Sequence, residues 1–386
     1  MAREQFLPYN QPEVGEDEVR AVSEAILSRW ITRGGLTQQF EEALSEYLGV
    51  GQVVAVSSCT AGLHLALIAA GIGPGDEVIT TPMTFAASVN VIVHVGATPV
   101  LVDIDEDTGN INPDAVEPAI TDRTRAIIPV HYAGHSVDMV RLNQIRDKYG
   151  VAVIEDAAHA IASRQDGRMV GSFGNLTAFS FYATKNLTTG EGGALVVPDP
   201  AMAEEVRMLS LHGMSRNAWN RYSKEGSWRY DVGVPGYKYN MTDVDAAMGL
   251  VQLSKLPAMQ AARQALAERY FQGLQGLPVI LPATRPGFEH AWHLFPIRVD
   301  LSQIEGDRAD VIEDLRESNI GTSVHFIPIH HHSYYQQRYG FKPGDFPHAD
   351  AFFAGQISLP LYPNMRMSDV DDVVEALAKS LHARRR

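Results

Sequence analysis

Residues 179–197 of this 386-residue chain read FSFYATKNLTTGEGGALVV, and this stretch predicts the centre of the fold. Two short apolar strands, predicted at residues 177–181 and 194–197, enclose a single lysine, Lys185, and a glycine-rich turn. An ammonium group costs several kcal/mol to desolvate unless it is paired or neutralised. Buried lysines therefore lower their pKa readily and act as nucleophiles. A lysine in a surface loop is the alternative that the stretch alone leaves open.

Composition excludes some classes of protein. The net charge of −14 disfavours nonspecific nucleic-acid binding. The single cysteine, Cys59, allows no intrachain disulfide and agrees with a reducing cytoplasm, where we expect the protein. The first ten residues lack the apolar run of a signal peptide, and no run of about 18 apolar residues predicts a membrane span.

The first two thirds of the chain alternate apolar runs with helical patterns. Runs of Val and Ile without polar alternation indicate strands buried on both faces, in a parallel sheet covered by helices. The predicted strands are residues 52–56, 77–81, 99–103, 126–130 and 151–155. The predicted helices include residues 16–30, 63–70, 86–95 and 137–149. Such a sheet binds its ligands at the carboxyl ends of its strands.

A change of pattern predicts a second domain. The later predicted helices are residues 201–211, 243–253, 256–274, 308–318 and 369–381, and the later strands are residues 290–299 and 322–326. We therefore expect an α/β architecture with a large domain, including an N-terminal arm, at residues 1–255. A smaller α+β domain is expected at residues 256–386.

Two segments at predicted strand ends suggest ligand binding. Small hydroxyl residues, among them Ser58 and Thr60, lie between a strand and a helix, where free N–H groups and the positive helix end favour an anion. An ordinary helix N-cap explains the same pattern. Asp156 follows a buried strand and needs a cationic partner, unless it caps the next helix.

Three consecutive histidines, His330 to His332, raise the question of a metal site. Three neighbouring residues cannot all face one ion on a regular element, and the sequence shows no carboxylate cluster around them. We therefore predict a loop with one functional histidine and no metal.

Thr60, Asp156 and Lys185 together meet the three needs of pyridoxal 5′-phosphate (PLP), which are a phosphate site, an acid for the ring nitrogen and an amine for the aldehyde. Their order and spacing resemble the fold-type-I aminotransferases, and more narrowly the DegT-type sugar aminotransferases. The matching stretches are residues 57–67 (SSCTAGLHLAL), 73–85 (GPGDEVITTPMTF), 127–134 (IIPVHYAG), 154–160 (IEDAAHA) and 179–193 (FSFYATKNLTTGEGG).

Further stretches resemble the members of this family that aminate UDP-4-keto sugars, including the 4-amino-4-deoxy-L-arabinose and pseudaminic acid branches. These marks are His159, GYKYN at 236–240, AWHLFPIRVD at 291–300 and IGTSVHFIPIH at 320–330. Many relatives carry Asn and Arg where this chain has Lys238 and Asn240. Dehydratase relatives carry His in place of Lys185, so the lysine argues against that branch.

The resemblance implies a PLP-dependent transferase of fold type I with three catalytic residues. Lys185 would hold the cofactor and move the proton, Asp156 would keep the ring nitrogen protonated, and His159 would bond the ring hydroxyl. The full implied cofactor set is Thr60, Ala61, Phe85, Asp156, Ala158, His159, Ser180, Lys185, Lys238 and Asn240. Phe85 would stack on the ring, although it could instead be a core residue.

The implied substrates are L-glutamate and a keto sugar nucleotide, most narrowly a UDP-4-keto sugar for polysaccharide synthesis. The implied substrate-binding residues are Tyr9, Trp30, Thr32, Arg33, Gly34, His325, Ile327 and His330. Packed core is the alternative for Tyr9 and His325. A homodimer would share its active sites, with Lys238 or Asn240 reaching the partner's cofactor. Two other functions stay open, namely a cyclitol aminotransferase and a non-enzymatic PLP-binding regulator.

Overall fold

The structure is a computed structural model that describes residues 3–214 and 230–386. Its helices are α1 Glu16–Leu27, α2 Gly35–Leu48, α3 Cys59–Ala69, α4 Ala86–His94, α5 Pro113–Val116, α6 Met139–Tyr149, α7 Pro200–Leu209, α8 Asp243–Gly273, α9 Arg308–Glu317, α10 Ser333–Tyr339, α11 Pro347–Gly355 and α12 Met367–Ala383. Its strands are β1 Val53–Val56, β2 Glu77–Thr80, β3 Thr98–Leu101, β4 Thr124–Ile128, β5 Ala152–Asp156, β6 Arg164–Gln165, β7 Arg168–Met169, β8 Leu176–Ser180, β9 Gly193–Val196, β10 Val279–Ile280, β11 Phe288–Glu289, β12 Phe295–Val299 and β13 Gln356–Leu359.

A mixed sheet forms the centre of the larger part of the molecule. In the described residues its strand order is β1-β9-β8-β5-β4-β2-β3. The strands from β8 to β3 are parallel to one another, whereas β9 is antiparallel to both β8 and β1. The expectation of a mainly parallel α/β sheet is therefore confirmed, with antiparallel pairing at one edge.

Helices cover this sheet on both faces. Side chains of β1 alternate between two cores, with Val54 and Val56 packed among α3, α4 and α7, and Val53 and Ala55 packed among α2 and α8. Helix α6 covers β4 and β5 on the second face. Because both faces are covered, the strands carry apolar residues at successive positions rather than alternate ones.

A second, three-stranded antiparallel sheet, β10-β12-β13, lies in the C-terminal part. Its core is closed by α9, α12 and the end of α8. Leu7 of the N-terminal arm packs into the same core and forms a bridge with Ile320. The arm therefore crosses to the C-terminal sheet.

One helix replaces the two that the sequence predicted at residues 243–253 and 256–274. Helix α8 runs for 31 residues with Pro257 inside it. A proline removes one helical hydrogen bond and strains the preceding turn. Here both halves are anchored, since Leu256 and Met259 pack against the central sheet and Tyr270 packs against the smaller one. The expected domain boundary at residue 255 falls inside this helix, and the division itself stays a prediction.

Two strand predictions were wrong in whole or in part. The strand predicted at 290–299 is confined to β12. The strand predicted at 322–326 is a loop with one bridge, Ser323 to Ser358, because the Gln356 side chain accepts the N–H of His325 at 3.0 Å in place of a backbone carbonyl. Helix α2 and strand β13 were not predicted from the sequence.

No helix in residues 3–214 and 230–386 combines the length and the apolar character needed to cross a membrane.

Candidate active site

Lys185 lies just beyond the carboxyl end of β8, in the loop that leads to β9. Its side chain lines a cavity of about 500 Å³ together with Asp156, at the end of β5, and Thr60, in the first turn of α3. Parallel strands end at one edge of a sheet, which brings these three residues together. The structure therefore places the predicted amine, acid and hydroxyl in one cavity.

Burial sets the chemistry of Lys185. Desolvation lowers its pKa to about 8, and the nearby Cys59 and Asp156 oppose this shift. Between pH 8 and the ordinary range of a lysine, the side chain is therefore mainly a neutral amine. A neutral amine is the form that attacks a carbonyl group.

We expect the reactivity of Lys185 in the cofactor-free protein to rise with pH around a midpoint near 8. Trinitrobenzenesulfonate labelling at several pH values, followed by peptide mapping, measures this midpoint. Lys148 is a built-in control, because its hydrogen bond to Glu117 raises its pKa. Equal midpoints for the two lysines would contradict the lowered pKa.

The Asp156 carboxylate is held by three neighbouring groups. Oδ2 accepts a hydrogen bond from the Ser88 hydroxyl at 2.7 Å, and Oδ1 accepts from the N–H of Ala158 at 3.1 Å. The Cys59 thiol lies 3.8 Å from Oδ1. No helix follows within residues 157–163, so the helix-cap alternative was wrong. Asp156 as a whole is 5% exposed, and its carboxylate is fixed at the cavity wall.

The start of α3 forms the part of the cavity wall beside Asp156. The Ser58 side chain caps the helix by accepting the N–H of Ala61 at 3.1 Å. Gly193 makes close packing possible here, since a Cβ on it would lie 2.5 Å from the carbonyl carbon of Ser58. Thr60 and Ser180 line the cavity, whereas the buried Ala61 does not.

His159 lines the cavity beside Lys185. Burial keeps its pKa well below the usual value, so the ring is neutral. The N–H of Ala133 donates to His159 Nδ1 at 3.2 Å. The ring proton must then be on Nε2, which can donate a hydrogen bond to a ligand.

Phe85 and Ala158 also line the cavity. Phe85 is 64% exposed, so the core alternative for this residue was wrong. Tyr182, at the same cavity, is 48% exposed. Large apolar side chains at a cavity mouth suit contact with a flat ring or with another chain.

Of the predicted substrate-binding residues, His325 lines this cavity. Burial lowers its pKa to about 4, and its Nδ1 lies 2.9 Å from the hydroxyl of Ser358. The ring of Tyr9 lies 5.4 Å from that of His325. Asn10, the next residue, donates a hydrogen bond to the carbonyl of Thr184 at 3.2 Å. The N-terminal arm thus reaches the loop that carries Lys185.

The loop from Trp30 to Gly34 lines a separate cleft of about 920 Å³. The Asp243 carboxylate accepts the N–H of Gly34 at 2.7 Å, and the N–H of Asp243 donates to the carbonyl of Thr32 at 3.1 Å. Arg33 lies 3.1 Å from Glu41. The loop is therefore fixed at the start of α8.

Lys238 and Asn240 precede the same helix and do not line the Lys185 cavity. Lys238 is exposed and donates a hydrogen bond to Asn240. The loop of residues 30–34 and the segment of residues 236–240 thus lie on one part of the molecule, both tied to the N-terminus of α8.

His330 lies outside the cavity, and Ile327 does so as well. His330 is fully buried and its Nε2 lies 2.8 Å from Asp350 Oδ1, which His331 Nε2 also contacts at 2.5 Å. The sequence predicted no carboxylate cluster around these histidines, and the structure places a single carboxylate, Asp350 of α11, beside His330 and His331. The three ligand atoms lie within 4.8 Å of one another.

Three residues were not predicted as site residues: His293 and Phe326, which line the cavity, and Ser88, which contacts the Asp156 carboxylate. Ser88 binds Asp156, Phe326 packs 5.8 Å from His159 in a stacked arrangement, and His293 lies 4.3 Å from His159. His293 and Phe326 belong to stretches that the resemblance already marked. Ser88 carries no signal in the sequence beyond its position two residues into α4.

A partly buried amine, a fixed carboxylate and a helix N-terminus around one cavity fit a PLP-dependent aminotransferase of fold type I. Residues 12–378 match the sequence profile of the DegT/DnrJ/EryC1/StrS aminotransferase family. The chain belongs to this family, and its cofactor is PLP.

Individual relatives agree over nearly the whole chain. The chain is 51% identical over 377 residues, 97% of each protein, to the spore coat polysaccharide biosynthesis protein SpsC of Bacillus subtilis. The PLP form of Spr1654 from Streptococcus pneumoniae superposes with a TM-score of 0.91 at 36% identity, covering 98% of this chain and 99% of that one. PseC of Helicobacter pylori, an aminotransferase involved in pseudoaminic acid biosynthesis, gives a TM-score of 0.90 at 30% identity, covering 98% and 100%.

Proposed function

We propose that this protein transfers an amino group from L-glutamate to a keto sugar nucleotide, specifically a UDP-4-keto sugar, in the synthesis of a surface polysaccharide. The cavity that joins Lys185, Asp156 and Thr60 is the observation that carries the aminotransferase part. The similarity to SpsC and PseC supports the sugar part. The single cysteine suits a cytoplasmic enzyme.

The residues around the Lys185 cavity fit each part of PLP. Thr60 and Ser180 would hold the phosphate with the N-terminus of α3, and Phe85 and Ala158 would flank the ring. PLP supplies an electron sink for the carbanion of the amino acid. Asp156 would hold a proton on the ring nitrogen, and the Nε2–H of His159 would donate to the ring hydroxyl.

Lys185 has two tasks in this scheme. Its lowered pKa makes it a good partner for an aldehyde. The neutral Lys185 amine would also take a proton from the α-carbon of the amino donor and deliver it to the carbon of the cofactor that carried the aldehyde. The side chains of Phe85 and Phe326, whose rings lie 6.0 Å apart, give this part of the cavity an apolar lining.

Turnover with a panel of UDP-4-keto and 3-keto sugars tests the proposal. We expect 2-oxoglutarate and an amino sugar to form in equal amounts from L-glutamate and a UDP-4-keto sugar. If 2-oxoglutarate formed only with a cyclitol ketone, the amino acceptor would be a cyclitol and not a sugar nucleotide. No conversion of any amino donor, despite bound cofactor, would favour a regulator and contradict the proposal.

We further propose that the enzyme is a homodimer with shared active sites. The loop of residues 30–34 and the segment of residues 236–240 lie together beside the N-terminus of α8, and neither lines the Lys185 cavity of its own chain. Exposed apolar side chains at the cavity mouth and on α1, including Phe85, Tyr182 and Leu27, support a covered surface.

Mixing two inactive variants tests the shared site. Lys185→Ala and Asn240→Ala subunits should each be inactive alone, but their heterodimer holds one intact site. Random reassociation of equal amounts should restore about a quarter of wild-type activity. No recovery, or an active monomer in sedimentation at micromolar concentration, would contradict the proposal.

The two half-reactions should separate the substrate-binding residues from the cofactor-binding ones. We expect Arg33→Ala and His325→Ala to slow the sugar half-reaction about tenfold or more, because each would lose a polar contact to the sugar nucleotide. The glutamate half-reaction should change less than about twofold. Stopped-flow spectra follow each half, and Arg20→Ala, an exposed arginine of α1, is the matched control. An equal loss of rate in both half-reactions would show that these residues stabilise the fold and do not bind the sugar nucleotide.

A further inference from the structure

His293 lines the Lys185 cavity, and its neighbours fix its tautomer. The side-chain amide of Asn186 donates from Nδ2 to the carbonyl of Ala291 at 2.7 Å. Its Oδ1 therefore faces His293 Nδ1, at 3.1 Å. An amide oxygen can only accept, so His293 Nδ1 carries a proton.

The other ring nitrogen of His293 is bare. Burial holds the pKa of His293 well below its usual value, and the nearby His159, Lys185 and Arg263 act in the same direction. The ring is neutral, so Nε2 carries a lone pair and no proton. No group in the described part of the chain bonds this nitrogen, and it is not sealed off from the cavity.

His159 and His293 form a complementary pair. Their ring centroids are 4.3 Å apart. His159 offers an N–H through Nε2, because its Nδ1 is occupied by Ala133. His293 offers an acceptor. One wall of the cavity therefore presents a donor and an acceptor side by side, next to Lys185.

We propose that His293 is a substrate-binding residue, whose Nε2 accepts a hydrogen bond from the sugar hydroxyl beside the carbon that receives the amino group. This inference rests on the proposed function. The reacting carbon must approach Lys185, and in a 4-keto hexopyranose the neighbouring carbon C3 carries a hydroxyl group. A hydroxyl is a good donor to a neutral imidazole nitrogen. Asn186, the residue after Lys185, acts as a positioning residue that keeps this nitrogen bare.

Two substitutions of similar size separate the two nitrogens. His293→Gln keeps an acceptor near the position of Nε2. His293→Asn can reach Asn186 but has no acceptor that far along the side chain. The probes are a UDP-4-keto hexose and its 3-deoxy analogue. Calorimetry on the PLP form of the enzyme, without any amino donor, measures binding in the absence of turnover.

We expect the wild-type enzyme to bind the hydroxyl-bearing sugar about tenfold more tightly than the deoxy analogue. His293→Gln should retain most of this preference, and His293→Asn should bind both sugars equally. The absorbance of the bound cofactor should be unchanged in both variants.

Other outcomes overturn the inference in distinguishable ways. Equal preference in wild type and His293→Asn would show that His293 does not contact the hydroxyl. If both variants lost the preference for the hydroxyl-bearing sugar and also the absorbance of the bound cofactor, His293 would be a residue that stabilises the fold. A shift in the Lys185 labelling midpoint in His293→Asn, with the sugar preference intact, would show that the nitrogen serves Lys185 instead. Failure of the wild type to bind either sugar nucleotide would refute the proposed substrate itself.

Discussion

Lys185→Ala is expected to abolish transamination, with a fall of about 10⁵-fold or more in turnover. The side chain provides both the covalent attachment of the cofactor and the group that moves the proton, and no other lysine of the described residues lines the cavity. The purified variant should also lose the absorbance of the covalently held cofactor. Half-reaction kinetics with L-glutamate and spectra of the purified protein provide both measurements.

The fold should survive this change. Lys185 is an amine whose pKa is lowered by burial, so its removal takes away a desolvation cost. Thermal unfolding should therefore show a cooperative transition close to that of the wild type. Lys148→Ala is the matched control on an exposed lysine and should keep full activity. A Lys185→Ala protein that folds and turns over at the wild-type rate would refute the assigned role.

Asp156→Asn is expected to lower the rate of the glutamate half-reaction about 10³-fold, roughly 4 kcal/mol in the activation barrier. The amide keeps the shape of the carboxylate and can still accept the N–H of Ala158. It cannot stabilise a proton on the ring nitrogen, so the electron sink weakens. Stopped-flow measurement of the half-reaction reports this loss directly.

Ser88→Ala is a milder change at the same site and is compared with Asp156→Asn. It removes the hydroxyl that donates to Asp156 Oδ2 at 2.7 Å but leaves the charge in place. We expect a loss of about tenfold, the size of one hydrogen bond to a charged group. A near-normal rate in Asp156→Asn, or a larger loss in Ser88→Ala than in Asp156→Asn, would show that the charge of Asp156 is not what matters.

The sequence was sufficient for the elements that hold the cofactor. Strands β5 and β8 are short apolar runs, buried on both faces, and each ends at a residue of the site. Parallel strands bring their carboxyl ends together wherever they lie in the chain. The grouping of Thr60, Asp156 and Lys185 could therefore be predicted before any distance was known.

Elements decided by tertiary packing were predicted less well. Two helices were predicted at residues 243–253 and 256–274, but packing along their length makes α8 one continuous helix. The loop 322–326 has the apolar pattern of a strand, yet the Gln356 side chain takes the N–H of His325. Neither contact can be predicted from the pattern of residues within the segment itself.

The substrate side of the site shows the same limit. The roles of His293 and Asn186 depend on a hydrogen bond between residues 107 positions apart. The position of Arg33 depends on Asp243, which fixes its loop at the start of α8. Neither arrangement follows from spacing along the chain, although the stretches that contain these residues could be marked by resemblance.

Borohydride reduction of the holoenzyme tests the central claim most directly, because it fixes the cofactor to the amine that holds it. Trypsin cleaves after Lys185 in the unmodified chain and gives peptides 169–185 and 186–207. A cofactor attached to Lys185 blocks that cleavage, so we predict a single peptide of residues 169–207 that carries the mass of the reduced cofactor. Cofactor found instead on the peptide of Lys148 or Lys238, with cleavage after Lys185 intact, would contradict the account.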